Sequence, residues 1–206
     1  MDPIVIVDYG AGNLRSVQKA FEHLGYEAAY TSDPDDLAHA PAIVFPGQGA
    51  CPPAMAALQR DGMDDAVRDA VKREVPFFGV CLGLQLLLGH SEEGDVDGLA
   101  IVPGTVRRFA KGLKVPHMGW NSVHLRDGHP VFQGVPNDSY FYFVHSYYAE
   151  PADASWVVGA TEYGVEFASV VAKGNLVATQ FHPEKSGNVG LKLYDNFVKH
   201  LVLARA

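Results

Sequence analysis

Residues 77–85 read Phe-Phe-Gly-Val-Cys-Leu-Gly-Leu-Gln. An apolar run ends in Gly79-Val80-Cys81-Leu82-Gly83, and a helical apolar pattern starts at once. Such a stretch folds as a strand that turns sharply into a helix, with Cys81 at the turn, in the place more often held by Ser. A side chain thrust up at so tight a turn needs neighbours without a Cβ, which Gly79 and Gly83 supply. The helix that follows aims free N–H groups at the sulfur, and its positive dipole end favours negative charge there. The stretch therefore fixes a strand–elbow–helix unit and points to acyl transfer through a thioester.

The rest of the first half repeats the strand-then-helix pattern. Ile4 to Val7 reads as a buried strand. Asn13 to Leu24 is helical, with Val17, Ala20, Phe21 and Leu24 on one face and Gly25 beyond its end. Glu27 to Tyr30 and Ala42 to Phe45 are predicted strands, and Asp33 is a cap for a short helix. Met63, Ala66, Val67, Ala70 and Val71 mark another helix. The elbow helix is expected to run from Leu82 to Gly89. Repeated units of this kind give a parallel sheet covered on both faces, with ligands at the carboxyl ends of the strands. Three segments fall at such ends: Asp8-Tyr9-Gly10-Ala11-Gly12-Asn13, Pro46-Gly47-Gln48-Gly49 and the Cys81 turn.

The second half is strand-rich: Ile101–Phe109, His117–Leu125, Tyr140–Tyr148, Trp156–Thr161, Phe167–Ala172 and Leu176–Phe181. A hairpin turn lies at Lys173-Gly174-Asn175, and a last helix at about Val189–Leu203. No linker divides the halves. Residues 1–206 read as a single α/β domain, flavodoxin-like, whose mostly parallel central sheet is flanked by helices and extended by antiparallel strands.

Composition narrows the function. A net charge of −8 without any Lys/Arg run argues against nucleic acid as a partner. Only 2 cysteines are present, too few for a disulfide framework, so a reducing compartment is expected. No apolar run spans a bilayer, and the chain enters its first strand without a secretion signal, so no membrane role and a cytoplasmic location are expected. None of the 9 histidines has metal-ligand spacing, and no metal or cofactor is expected. The glycine loop after Asp8 lacks the Lys-Ser/Thr of a phosphate cradle.

A cysteine nucleophile needs a base. His182 ends the strand Leu176–Phe181 and is followed by Pro183 and Glu184. Pro183 stops the strand and stiffens the turn, which can bring Glu184 back onto the imidazole. Cys81, His182 and Glu184 are then nucleophile, base and orienting carboxylate. Oxyanion donors are expected from the N–H of Leu82 and from Gln48 and Gly49, in a loop whose flanking glycines let a peptide turn over. Cys51, followed by two prolines, reads as a passive loop or helix-start residue.

Together, Gly79–Gln85, Pro46–Gly49 and Phe181–Glu184 resemble the class I (triad) glutamine amidotransferases. More narrowly, Pro116-His117-Met118-Gly119-Trp120-Asn121, Tyr140–Tyr147 and His182–Ser186 resemble the glutaminase subunits of imidazole glycerol phosphate synthase. The resemblance covers essentially the whole chain. It implies that Cys81 attacks the carboxamide of L-glutamine and that His182 protonates the leaving ammonia. It implies glutamine binding by Gly47, Gln85, Ser146 and Tyr147, and no cofactor. It also implies a (β/α)8-barrel cyclase partner in a heterodimer that makes imidazole glycerol phosphate and aminoimidazole carboxamide ribonucleotide for histidine biosynthesis. Asn13, Trp120, Tyr142 and Lys185 are the candidate docking residues; a core role is the other reading of Trp120 and Tyr142. Family members often carry Thr where Ser146 stands and Val where Gln48 stands. The hydroxyl survives the first change, and backbone donation survives the second. A triad glutaminase serving another synthase (anthranilate, guanylate or pyridoxal phosphate), a stand-alone γ-glutamyl or cysteine hydrolase, and a non-catalytic binding subunit remain alternatives.

Overall fold

The computed structural model describes residues 2–10, 12–126 and 128–205. Strand β1 (Ile4–Val7) leads into helix α1 (Leu14–His23), then β2 (Ala28–Thr31) and β3 (Ile43–Gly47). Helices α2 (Cys51–Arg60) and α3 (Met63–Lys72) precede β4 (Phe77–Cys81) and α4 (Leu82–Leu86). A run of strands follows: β5 (Leu88–Ser91), β6 (Val96–Asp97), β7 (Val102–Arg108), β8 (His117–Leu125), β9 (Ser139–His145), β10 (Tyr147–Pro151), β11 (Val157–Glu162), β12 (Glu166–Lys173) and β13 (Leu176–Thr179). Helix α5 (Gly187–Phe197) continues into a wider turn at Val198–Val202. No helix of the described residues is long and apolar enough to cross a membrane.

The sheet has a parallel heart in the order β2-β1-β3-β4-β13. Beyond β13 it turns antiparallel through β12, β10 and β7, while β11, β8 and β9 branch off β12. Every residue of β3 and β4 is buried, as helix-covered parallel strands require. Adjacent residues of a strand point to opposite faces, and Phe77 and Phe78 show it. Phe78 packs with Phe21, Tyr194 and Phe197 under α1 and α5, while Phe77 packs with Phe45, Leu58 and Val67 under α2 and α3.

Three expectations need correction. Residues 51–60, where Cys51 alone reads as a possible helix start, form α2 from Cys51 onward; Pro52 and Pro53 lie in its first turn, where a missing N–H costs nothing. The elbow helix ends at Leu86, and the chain passes straight into β5 as an inner strand beside β7. Its all-apolar continuation fits a buried strand as well as a helix, so periodicity alone could not decide. The predicted strand 140–148 breaks at Ser146 into β9 and β10, which pair with different neighbours.

The elbow glycines are needed for space. A Cβ on Gly83 would overlap the carbonyl oxygen of Phe45, and one on Gly79 would lie 2.8 Å from the Cβ of Ala178. Helix α4 thus rides directly on β3. Gly83→Ala should lower stability by about 1–3 kcal/mol or more, since the atom it meets is backbone. Gly128→Ala, where a Cβ meets nothing within 4 Å, should change it by less than about 0.5 kcal/mol. Urea denaturation of both variants checks the contrast.

Candidate active site

Parallel register brings three strand ends together. Gly47 at the end of β3 pairs with Cys81 at the end of β4, and Val80 pairs with Thr179 at the end of β13. The segments that leave these ends are Gln48-Gly49, the elbow and Gln180-Phe181-His182. They converge on a cleft of about 390 Å³. Gln48, Gly49, Cys81, Leu82, Gln85, Ser146, Tyr147, His182 and Lys185 all line it.

Cys81 has φ +55° and ψ −107°, a conformation that L-residues avoid. Strand alternation would send its side chain to the Phe77 face. The positive φ instead puts it with Phe78 and Val80. Its sulfur is reached by the Nε2 amide of Gln180 at 3.8 Å and lies 4.0 Å from the carbonyl of Val144.

The His182-Pro183-Glu184 turn closes as its residue types require. Nδ1 of His182 donates to Oε1 of Glu184 at 2.8 Å, with both side chains almost wholly buried. Nε2 of His182 has no hydrogen-bond partner among the described residues, and the ring interacts with Cys81. Burial alone would lower the His182 pKa. Its interactions with Cys81 and Glu184 outweigh that and push it up to about 10. The ring therefore holds its proton readily, as a donor to a leaving group must. Helix α5 clamps the turn. A Cβ on Gly190 would overlap the Pro183 carbonyl, and one helical turn on, the Tyr194 hydroxyl donates to Oε2 of Glu184 at 3.4 Å. Ser186 ties the turn to β9. Its hydroxyl donates to the His182 carbonyl at 2.6 Å and accepts from the Tyr142 N–H at 3.0 Å. The Tyr142 carbonyl in turn accepts from the His182 N–H.

On the far wall, Gln85 donates to the Tyr147 carbonyl at 2.8 Å and to Oε1 of Gln180 at 3.1 Å. Both its amide protons are used, so Oε1 is the atom left for a ligand. The same Tyr147 carbonyl accepts from Nδ1 of His145 at 2.8 Å. Nε2 of His145 then accepts from Nδ1 of His117 at 2.9 Å, and Nε2 of His117 accepts from Asn121 at 3.3 Å. This order needs both rings neutral. Burial lowers the His117 pKa to about 4 and that of His145 to about 3.

Of the docking candidates, Lys185 lines the cleft, while Asn13, Trp120 and Tyr142 do not. Trp120 is 56% exposed and meets the half-buried Tyr142 edge-on, with ring centroids 6.2 Å apart, across the β8–β9 pair. The core reading of Trp120 therefore fails. Asn13 is half-buried at the start of α1 and makes no side-chain cap there. Ala11, in the same glycine loop, lies outside the described residues. Gly47 lies beneath the cleft, where a Cβ would overlap the Tyr9 hydroxyl. Among the described residues no cluster of His, Cys, Asp and Glu is arranged to hold a metal ion.

A family model for class-I glutamine amidotransferases matches residues 5–201. The chain belongs to that family. Within it, the amidotransferase is 50% identical over 197 residues to imidazole glycerol phosphate synthase subunit HisH of Dehalococcoides mccartyi, covering 95% of this chain and 96% of the relative. It is 53% identical over 210 residues to the HisH subunit of Nitrosospira multiformis, covering 97% and 98%. The PurLQS structure from Thermotoga maritima overlays with a TM-score of 0.77 at 19% identity, covering 98% of this chain and all of that one, a likeness of fold.

Sequence reasoning missed four side chains of the amidotransferase site. Glu93 lines the cleft and accepts from the Cys51 N–H at 2.8 Å, fastening the start of α2 beside the Gln48–Gly49 loop. It comes from the β5–β6 hairpin, which the helical reading of residues 82–89 hid. Gln180 adjoins a recognised motif and Ser186 ends one without having been given a role; their polar type inside apolar surroundings was the available signal. Tyr194 was legible only as a helix-face aromatic.

The two histidine sets act oppositely on stability. His117 and His145, depressed below the unfolded value of about 6.5, cost stability as pH falls from there towards about 4. His182, raised, contributes stability below about 6.5 that is lost as pH rises through about 10. Melting temperatures taken from about pH 5 to about pH 10 should show a flatter acid limb for His117→Gln and a flatter alkaline limb for His182→Gln than for the wild type. Unaltered limbs would contradict these protonation states.

Proposed function

We propose that the chain hydrolyses L-glutamine as the amidotransferase subunit of an imidazole glycerol phosphate synthase and hands the ammonia on for histidine biosynthesis. One observation carries the chemistry: a buried His182–Glu184 pair with a free Nε2 stands behind a cysteine held at a strained elbow in a cleft. Near-full-length identity of about half to HisH subunits supports the biosynthetic assignment. The 206 residues work as one amidotransferase domain, in the cytoplasm.

Cys81 attacks the carboxamide carbon as thiolate. The N–H of Leu82 and those of the Gln48–Gly49 loop receive the charge that develops on oxygen. The C–N bond breaks, and His182 gives its proton to the departing ammonia. Glu184 keeps the ring oriented through both steps. Water, deprotonated by His182, then attacks the thioester, and glutamate leaves as the Cys81 sulfur is restored. Gln85, Ser146 and Tyr147 hold the amino-acid end of the substrate, with Gly47 beneath the cleft rather than in its lining, and Glu93 gives a carboxylate for its ammonium group.

Free ammonia is protonated and lost in water, so it must leave into a closed path. We place the partner, a (β/α)8-barrel cyclase in a heterodimer, over the β8–β9 face. Trp120, Tyr142 and Asn13 serve as docking contacts, and Lys185 stands at the cleft edge. Met118 and Tyr140, also strongly exposed, extend that face.

Cys81→Ala should abolish glutamine-dependent synthesis by the assembled enzyme while leaving ammonia-dependent synthesis intact; equal loss of both would refute the division of labour. Trp120→Ala should weaken association with the cyclase by about tenfold or more, as for a central aromatic anchor. Labelling of Cys81 by a glutamine-like electrophile should proceed as in the wild type. Titration calorimetry and mass spectrometry read the two effects separately.

A further inference from the structure

Gln180 stands one residue beyond β13, wholly buried, and its backbone N–H donates to the Ser169 carbonyl of β12 at 2.8 Å. A polar side chain in that position has lost its water, so its bonds must be made inside the protein. The neighbouring bonds decide which way its amide faces. The Tyr147 carbonyl can only accept, so the Gln85 atom 2.8 Å from it is the amide nitrogen. The second proton of that nitrogen goes to Gln180 at 3.1 Å, so the Gln180 atom there is Oε1. Nε2 of Gln180 is then the end turned to Cys81, and it lies 3.8 Å from the sulfur.

The sulfur has use for such a donor. Helix α4 has only 5 residues, so its dipole is small. The Val144 carbonyl, 4.0 Å away, can take a thiol proton but repels a thiolate. A hydrogen bond to the charged form of a group favours that form, and an N–H bonds an anion roughly twice as strongly as a neutral acceptor. Gln85, donating to Oε1 of Gln180, polarises the amide and strengthens the N–H at its other end. The titratable groups that face the sulfur come from several elements. His182 interacts with it from beyond β13, with Glu184 behind the ring. Tyr9 after β1 and Cys51 at the start of α2 are both raised by burial, Cys51 to about 12, and stay neutral. Glu93 and Lys185 share the cleft.

We propose that Gln180 is a further catalytic residue: its side-chain N–H holds the Cys81 thiolate before attack and receives the sulfur again when the thioester is cleaved. The proton that leaves the thiol sits on His182. When water attacks the thioester and the C–S bond breaks, its electron pair returns to the sulfur beside the same N–H. The catalytic role rests on the glutaminase reading of the cleft; the bond to the sulfur does not.

The test compares the full chain with Gln180→Met, which removes the N–H and keeps the bulk, and Gln180→Glu, which removes the N–H and keeps an acceptor for Gln85. Iodoacetamide alkylation of Cys81 is followed by peptide mass spectrometry from about pH 4 to about pH 10, without glutamine. Its midpoint should rise by about one pH unit or more in both variants, because losing a bond to an ionised group shifts the thiol–thiolate ratio about tenfold or more. In complex with the cyclase and its nucleotide substrate, kcat for glutamine should fall about tenfold or more, while KM of Gln180→Glu stays within about threefold. Midpoints within about 0.3 pH unit of the wild type overturn the proposal, and a lower melting temperature beside them marks Gln180 as structural only. Should Gln180→Met not fold, Gln180→Glu decides by the same criterion. Shifted midpoints with an unchanged kcat overturn the catalytic role. A wild type that hydrolyses no glutamine in the complex overturns the glutaminase reading and the catalytic role with it, whereas the alkylation curves still decide the bond to the sulfur.

Discussion

The cleft depends on the backbone conformation of one residue. Cys81 sits at a φ that a side-chain-bearing residue adopts at a cost of about 1–3 kcal/mol. It is held there because both flanks are over-determined. On one side β4 is paired with β3 and β13 along its length. On the other, Gly83 lets α4 press onto Phe45 so closely that the helix has no other seat. The tension is useful. It turns the sulfur out of the strand's alternation and aims it at the His182 side of the sheet.

The His182–Glu184 turn is stabilised independently of the elbow. Pro183, the Gly190 contact, the Tyr194 hydroxyl and the Ser186 hydroxyl each fix one part of a four-residue loop. A buried imidazole and carboxylate then coexist without leaving charge unpaired. The opposite wall shows a different solution. His117 and His145 stay neutral and pass hydrogen bonds in one direction from Asn121 to the Tyr147 carbonyl.

Much of this was legible in the residues, because chemistry that needs a special backbone leaves a mark. Glycines on either side of Cys81, a proline after His182 and a capping Asp33 each announced a local geometry, and each geometry is present. What failed to show was whatever depends on distant packing. Leu86-Leu87-Leu88 fits helix and strand equally, and only the neighbouring β7 decides for strand. That ambiguity concealed Glu93. Likewise Trp120 carries no sign of exposure in sequence; its place on the outer face follows from the register of β8 with β9.

That register has a cost for the free chain. Met118, Trp120 and Tyr140 stand exposed on a hairpin whose outer strand, β9, pairs only with β8 among the described residues. Exposed apolar ladders are sticky surfaces in any cell. On the docking proposed above, matched supply of the two subunits is a matter of colloidal safety as well as of catalysis, since each orphaned copy of this chain would carry an adhesive flank until covered.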